Sequence, residues 1–90
     1  MVAFEFVVKG IVQGVGYRYF TSDQAAHLGI RGYVKNEPDG SVAGYAEGDG
    51  AALDEFFTAL KSGPPASRVN DITKHKVEAL GSSDFQIRYY

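Results

Sequence analysis

The 90-residue chain has no cysteine, which removes disulfides, thiolate metal sites and a cysteine nucleophile at once. A cysteine-free fold suits a reducing compartment, and a cytoplasmic location is expected. No apolar run approaches the length of a membrane span. Residues 1–9 have no basic stretch ahead of an apolar block, and Glu5 and Lys9 interrupt their apolar residues, so no leader is predicted. No charge of one sign dominates: nine Lys and Arg face eleven Asp and Glu, a net charge of −2. That balance supplies no global field for nucleic acid or an anionic membrane, so any attraction for an anion must be local. Internal repeats, low-complexity segments and linkers are also missing. A single domain over residues 1–90, monomeric, is the expectation.

What is present is ordinary globular material. Apolar residues make up 44% of the chain, and six Phe and six Tyr provide bulk for one core. Val2, Phe4, Phe6 and Val8 alternate with Ala3, Glu5, Val7 and Lys9, as a strand with one buried face requires. A glycine-rich segment follows. Residues 17–28 then lack Gly and Pro and space Phe20, Gln24 and Leu28 four apart, with Thr21 and Ala25 alongside; this predicts a helix stopped by Gly29. Residues 30–36 and 41–47 read as strands, the second with Val42, Gly44 and Ala46 on one face. Glu37-Pro38-Asp39-Gly40 between them is turn chemistry, so the pair is a hairpin. Leu53, Phe56, Phe57 and Leu60 sit at i, i+3, i+4 and i+7 and define a second helix, ended by Gly63-Pro64-Pro65. A fourth strand is read at residues 68–77, and Phe85, Ile87 and Tyr89 form a short closing one. The order βαββαβ plus a terminal strand predicts an α+β, ferredoxin-like α/β sandwich: an antiparallel sheet with both helices on one face.

Chemistry concentrates where the glycine-rich segment leaves the first strand and enters the first helix. Free N–H groups there and the helix N-terminus converge on one point, a geometry that binds phosphate. Neither common nucleotide fingerprint fits. Gly14-Val15-Gly16 has Tyr19 where a third glycine belongs, and no Walker-type lysine motif occurs. Arg18 lies in the first helical turn, where the macrodipole favours acids; an anion in the loop would make that cation favourable. Its plainer reading is a solvated surface arginine. Asn36, before the turn, could simply cap local backbone. Yet the strand–helix–strand connection makes the first two strands parallel, so their C-terminal ends share a sheet edge. With one strand between them, the glycine loop and Asn36 lie about 10 Å apart. His27 and His75 have no metal-ligand spacing, Thr21 and Ser22 have no partner to activate them, and both pairs read as surface groups. Glu37 reads as a solvated turn residue near the rim, and Tyr89 and Tyr90 as edge packing.

At these residues the chain resembles the acylphosphatase family. Gly10-Ile11-Val12-Gln13-Gly14-Val15-Gly16-Tyr17-Arg18 is similar to that family's G-x-V-Q-G-V-x-[FY]-R. The segment from Gly32 through Tyr33, Val34, Lys35 and Asn36 to Gly40 and Val42 is similar to its second signature. The likeness continues through Gly63-Pro64-Pro65 to Phe85-Gln86-Ile87-Arg88-Tyr89. The resemblance implies hydrolysis of acyl phosphates to a carboxylate and inorganic phosphate, without metal or cofactor. It implies that Arg18 and the backbone N–H groups of Gln13, Gly14, Val15, Gly16, Tyr17 and Arg18 bind the phosphate, and that Asn36 orients the attacking water. Two departures stand out: Tyr33 where Trp is common, and Glu37 where a small hydroxyl residue often follows the Asn. Inorganic phosphate is expected as product or inhibitor. A phosphate-binding module is the alternative, because similar domains occur within larger maturation enzymes. An RNA-binding role for such a fold fails on the missing glycine-aromatic strand motif and the acidic balance.

Overall fold

A computed structural model describes residues 1–89, so Tyr90, one of the expected edge residues, lies outside the described part. The elements are β1 (Val2–Ile11), α1 (Tyr17–Leu28), β2 (Arg31–Asn36), β3 (Val42–Gly48), α2 (Gly50–Ser62), β4 (Arg68–Val77) and β5 (Phe85–Arg88). They build one five-stranded sheet in the order β4-β1-β3-β2-β5. β1 pairs antiparallel with both β3 and β4, and β2 pairs antiparallel with β3. Facing pairs Phe4–Ala46, Phe6–Gly44 and Val8–Val42 put the even residues of β1 and β3 on the helix side. There they meet the Leu53, Phe56, Phe57 and Leu60 stripe of α2 and the buried face of α1. The ring of Phe6 meets Phe56 and Phe57 edge-on at 6.1 and 5.6 Å, the favoured quadrupolar arrangement.

Two expectations about the elements need correction. First, the sheet is mixed: β5 runs parallel to β2, from Gly32–Phe85 to Lys35–Arg88. Alternation of Phe85 and Ile87 encodes which face a strand buries but not its direction, so pattern reading had no access to this. Second, the buried stripe of α1 is Tyr17, Thr21 and Ala25. Thr21 is no surface hydroxyl. It is fully buried and satisfied by donating to the Tyr17 carbonyl at 2.9 Å. His27 does lie at the surface, its Nδ1 2.8 Å from the Asp23 carbonyl.

The chain reaches the β5 edge by passing residues 78–84 across the sheet face opposite the helices, and Glu47 holds it there. Glu47 is fully buried. Its Oε1 accepts from the Tyr45 hydroxyl at 2.8 Å and from the N–H groups of Gly81 and Ser82 at 3.0 Å each. The Tyr45 hydroxyl in turn accepts from the Leu80 N–H at 2.7 Å, and Arg31 donates to the Ser82 carbonyl at 3.3 Å. Burial alone would push the Glu47 carboxyl pKa up. The Ser82 N–H, Tyr45 hydroxyl, Gly81 N–H and nearby Arg31 outweigh it and hold the group below its ordinary value.

A folded-state pKa below the unfolded one means stability that is present above the ordinary carboxylate range. It is lost as the pH falls through the lowered value. Glu47→Ala strands these donors and is expected to cost about 3 kcal/mol. In a domain this small that is on the order of 10–20 °C in Tm, read by thermal unfolding at neutral pH. An unchanged Tm would mean that the crossing segment is held by other contacts.

Candidate active site

β1 does not stop at Lys9. It shifts register at Lys9–Gly10 and continues to Ile11, still paired with β4, which carries the chain to the start of the glycine loop. The loop itself turns on Gly14 (φ +74°) and Gly16 (φ +78°), both in the left-handed region. A Cβ at either would meet nothing within 4 Å, so the requirement for glycine there is conformational, not spatial. Gly16 is the N-cap of α1; no side chain caps the helix and no acid lies in its first turn. The N–H groups of residues 13–16 donate none of the backbone hydrogen bonds outside helices and strands among the described residues. With the first helical amides they form an uncapped cluster of donors.

Tight anchors fix this cluster in place. Tyr17 points its side chain into the core, and its hydroxyl donates to the Leu60 carbonyl at 2.6 Å, tying the start of α1 to the end of α2. Burial pushes that phenol pKa up, so it stays neutral and donating. The Gln13 side chain does something the motif alone did not reveal. Its Nε2 donates to the carbonyls of Glu37 and Ser41 at 2.8 and 2.9 Å, bracing the loop against the β2–β3 turn.

That turn follows Asn36, the last residue of β2. β3 is the one strand between β1 and β2, as the 10 Å expectation required. The bland capping role foreseen for Asn36 falls to Asp39 instead. Asp39 Oδ1 accepts from the Ser41 hydroxyl at 2.6 Å and the Ser41 N–H at 2.9 Å, and these bonds lower its pKa. Asn36 Oδ1 is left buried and without a hydrogen-bond partner among the described residues. An unpartnered buried acceptor is rare and costly, and calls for a role. Glu37 pairs with Lys35 at 3.6 Å across a partly exposed surface.

Val12, Gly14, Gly16, Tyr17, Arg18, Tyr19 and Asn36 line one cavity of about 210 Å³. Five expected site residues, Gly14, Gly16, Tyr17, Arg18 and Asn36, therefore meet there. Gln13 and Val15 belong to the loop but do not line the cavity. Arg18 is steadied from the opposite side by the chain's last strand: it donates to the Arg88 carbonyl at 3.0 Å, and its guanidinium carbon lies 4.7 Å from the Tyr89 ring centroid. Tyr89 is thus more than edge packing. A larger hollow of about 570 Å³ between α2 and β4 has no comparable convergence, and its Lys74 is already seated over Phe4 and Phe57.

Comparison with known proteins gives the family and the fold. A family model described as Acylphosphatase matches residues 4–87. A protein of that name from Archaeoglobus fulgidus is 49% identical over 89 residues, covering 99% of this chain and 100% of its own length. One from Thermotoga maritima is 48% identical over 90 residues, with both chains fully covered. The crystal structure of acylphosphatase from Bacillus subtilis superposes with a TM-score of 0.95 at 42% identity, covering 99% of this chain and 100% of that one. The structure of T. kodakarensis HypF matches the whole chain with a TM-score of 0.87 at 34% identity, over only 12% of its own length. From the glycine loop to the closing strand, this chain belongs to the acylphosphatase family.

Proposed function

We propose that the protein is a single-domain, monomeric, cytoplasmic enzyme that hydrolyses acyl phosphates to a carboxylate and inorganic phosphate. The observation that carries this reading is the shared cavity: Arg18, Gly14 and Gly16 of the loop, and Asn36 open onto the same small space. In this reading the phosphoryl oxygens sit among the loop N–H groups and the Arg18 guanidinium, whose planar fork matches them. Asn36 hydrogen-bonds the water through its side-chain amide and aims the water oxygen at phosphorus. The new P–O bond forms as the acyl P–O bond breaks, and the carboxylate leaves with the bonding pair. The water proton passes to a phosphate oxygen, so no side chain is needed as base. A carboxylate is a good leaving group, and positioning with charge stabilisation suffices for such a transfer.

A phosphate-binding module is the second reading, favoured by the match to a small part of the much longer HypF chain. Asn36 separates the two, because gripping phosphate does not require a placed water. The test is hydrolysis of benzoyl phosphate, with inorganic phosphate as inhibitor and with and without chelator. Turnover well above the spontaneous rate, competitive inhibition by phosphate and indifference to chelator are expected. No turnover, with phosphate still bound, would leave a recognition module; activity lost to chelator and restored by metal would overturn the metal-free mechanism.

A further inference from the structure

An acyl phosphate held as proposed has its phosphoryl group inside the cavity and its acyl group directed outward. What the acyl group meets depends on the rim. Of the apolar side chains lining the cavity, Val12 and Tyr17 are each 1% exposed and belong to the core. Tyr19 is 64% exposed and, among the described residues, is the one large apolar side chain there that is open to solvent. Core packing does not explain it, since α1 buries Tyr17, Thr21 and Ala25 on its inner side. Single exposed aromatics are common, but this one directly follows Arg18 and lines the same cavity. The neighbouring Arg18 guanidinium is itself held in place, its carbon 4.7 Å from the Tyr89 ring centroid.

We infer that Tyr19 is a specificity-determining residue whose ring receives a flat, apolar acyl group, favouring aromatic over short aliphatic acyl phosphates. The inference rests on the hydrolysis reading above. An acetyl group is too short to cover the ring, whereas a benzoyl group can stack on it or meet it edge-on.

The test compares kcat/KM for benzoyl phosphate and acetyl phosphate in the wild type, Tyr19→Ala and Tyr19→Phe, with Tm confirming that each variant folds. The benzoyl-to-acetyl ratio is expected to fall roughly three- to tenfold in Tyr19→Ala, mainly through KM for the benzoyl substrate. Tyr19→Phe keeps the ring and is expected to stay within about twofold of the wild-type ratio. An unmoved ratio in Tyr19→Ala, with both substrates still hydrolysed, overturns the role of Tyr19 alone. A wild type that hydrolyses neither substrate overturns the hydrolysis reading, and this inference with it.

Discussion

Arg18→Ala is expected to abolish acyl phosphate hydrolysis and inhibition by inorganic phosphate together. Among the described residues, the guanidinium is the one cationic side chain lining the cavity, at the helix N-terminus where the loop amides converge. Loss of one preorganised stabilising donor costs roughly 10²–10³ in rate, and a charged, forked donor facing a phosphate is at the upper end or beyond. Because the same contact holds ground state and transition state, KM and the phosphate inhibition constant rise along with the loss in kcat. Arg18→Lys restores charge without the fork and should recover only part of the activity. Arg18 also donates one exposed hydrogen bond to the Arg88 carbonyl, so the variant loses about 1 kcal/mol of stability and remains folded. Steady-state kinetics with phosphate titration, alongside a Tm, separates the effects. Phosphate inhibition unchanged in a folded Arg18→Ala protein would remove Arg18 from the site.

Asn36→Ala should give the complementary result: kcat down by roughly 10² or more, with phosphate inhibition within about twofold of wild type. An interaction made with the attacking water contributes nothing to the grip on bound phosphate, so the loss appears in kcat. The structure adds an unusual expectation. Asn36 Oδ1 is buried without a partner among the described residues, and removing such an atom relieves a desolvation cost. The inactive variant is therefore expected to match or exceed the wild type in Tm, the sign of a group kept for function at the expense of stability. Hydrolysis at the wild-type rate would show that water is placed by something else. A drop in Tm of more than a few degrees would show that Asn36 serves the fold.

Legibility in the sequence tracked how local each determinant is. α2 could be read outright, because Leu53, Phe56, Phe57 and Leu60 repeat at the helical spacing and all four are buried. The inner face of α1 was misjudged: Thr21 looks polar by type, yet its hydroxyl is satisfied by its own helix and can be buried. Glu47 was invisible as a core residue, since two of its three donors come from residues 81 and 82, more than thirty positions away. The direction of β5 was equally hidden, because a four-residue strand shows only which side it buries. At the site, Gly14, Gly16 and Arg18 marked a candidate anion-binding turn by local chemistry. Asn36 was ambiguous until Asp39 was found occupying the capping role. Tyr19 gave no signal, because only three-dimensional placement separates a rim aromatic from any other exposed one.

The Gln13 brace has a consequence for modularity. The stretch from Gly10 to Arg18 looks like a portable cassette that could be transplanted into any strand–helix junction. Its side-chain amide argues otherwise: Gln13 closes on two carbonyls, at residues 37 and 41, on the hairpin turn immediately after Asn36. A graft of the cassette alone would carry the ring of amides and leave both bonds unmade, with the loop free to open. The smallest transferable unit is therefore the loop together with the hairpin, two pieces separated by a whole helix in the chain.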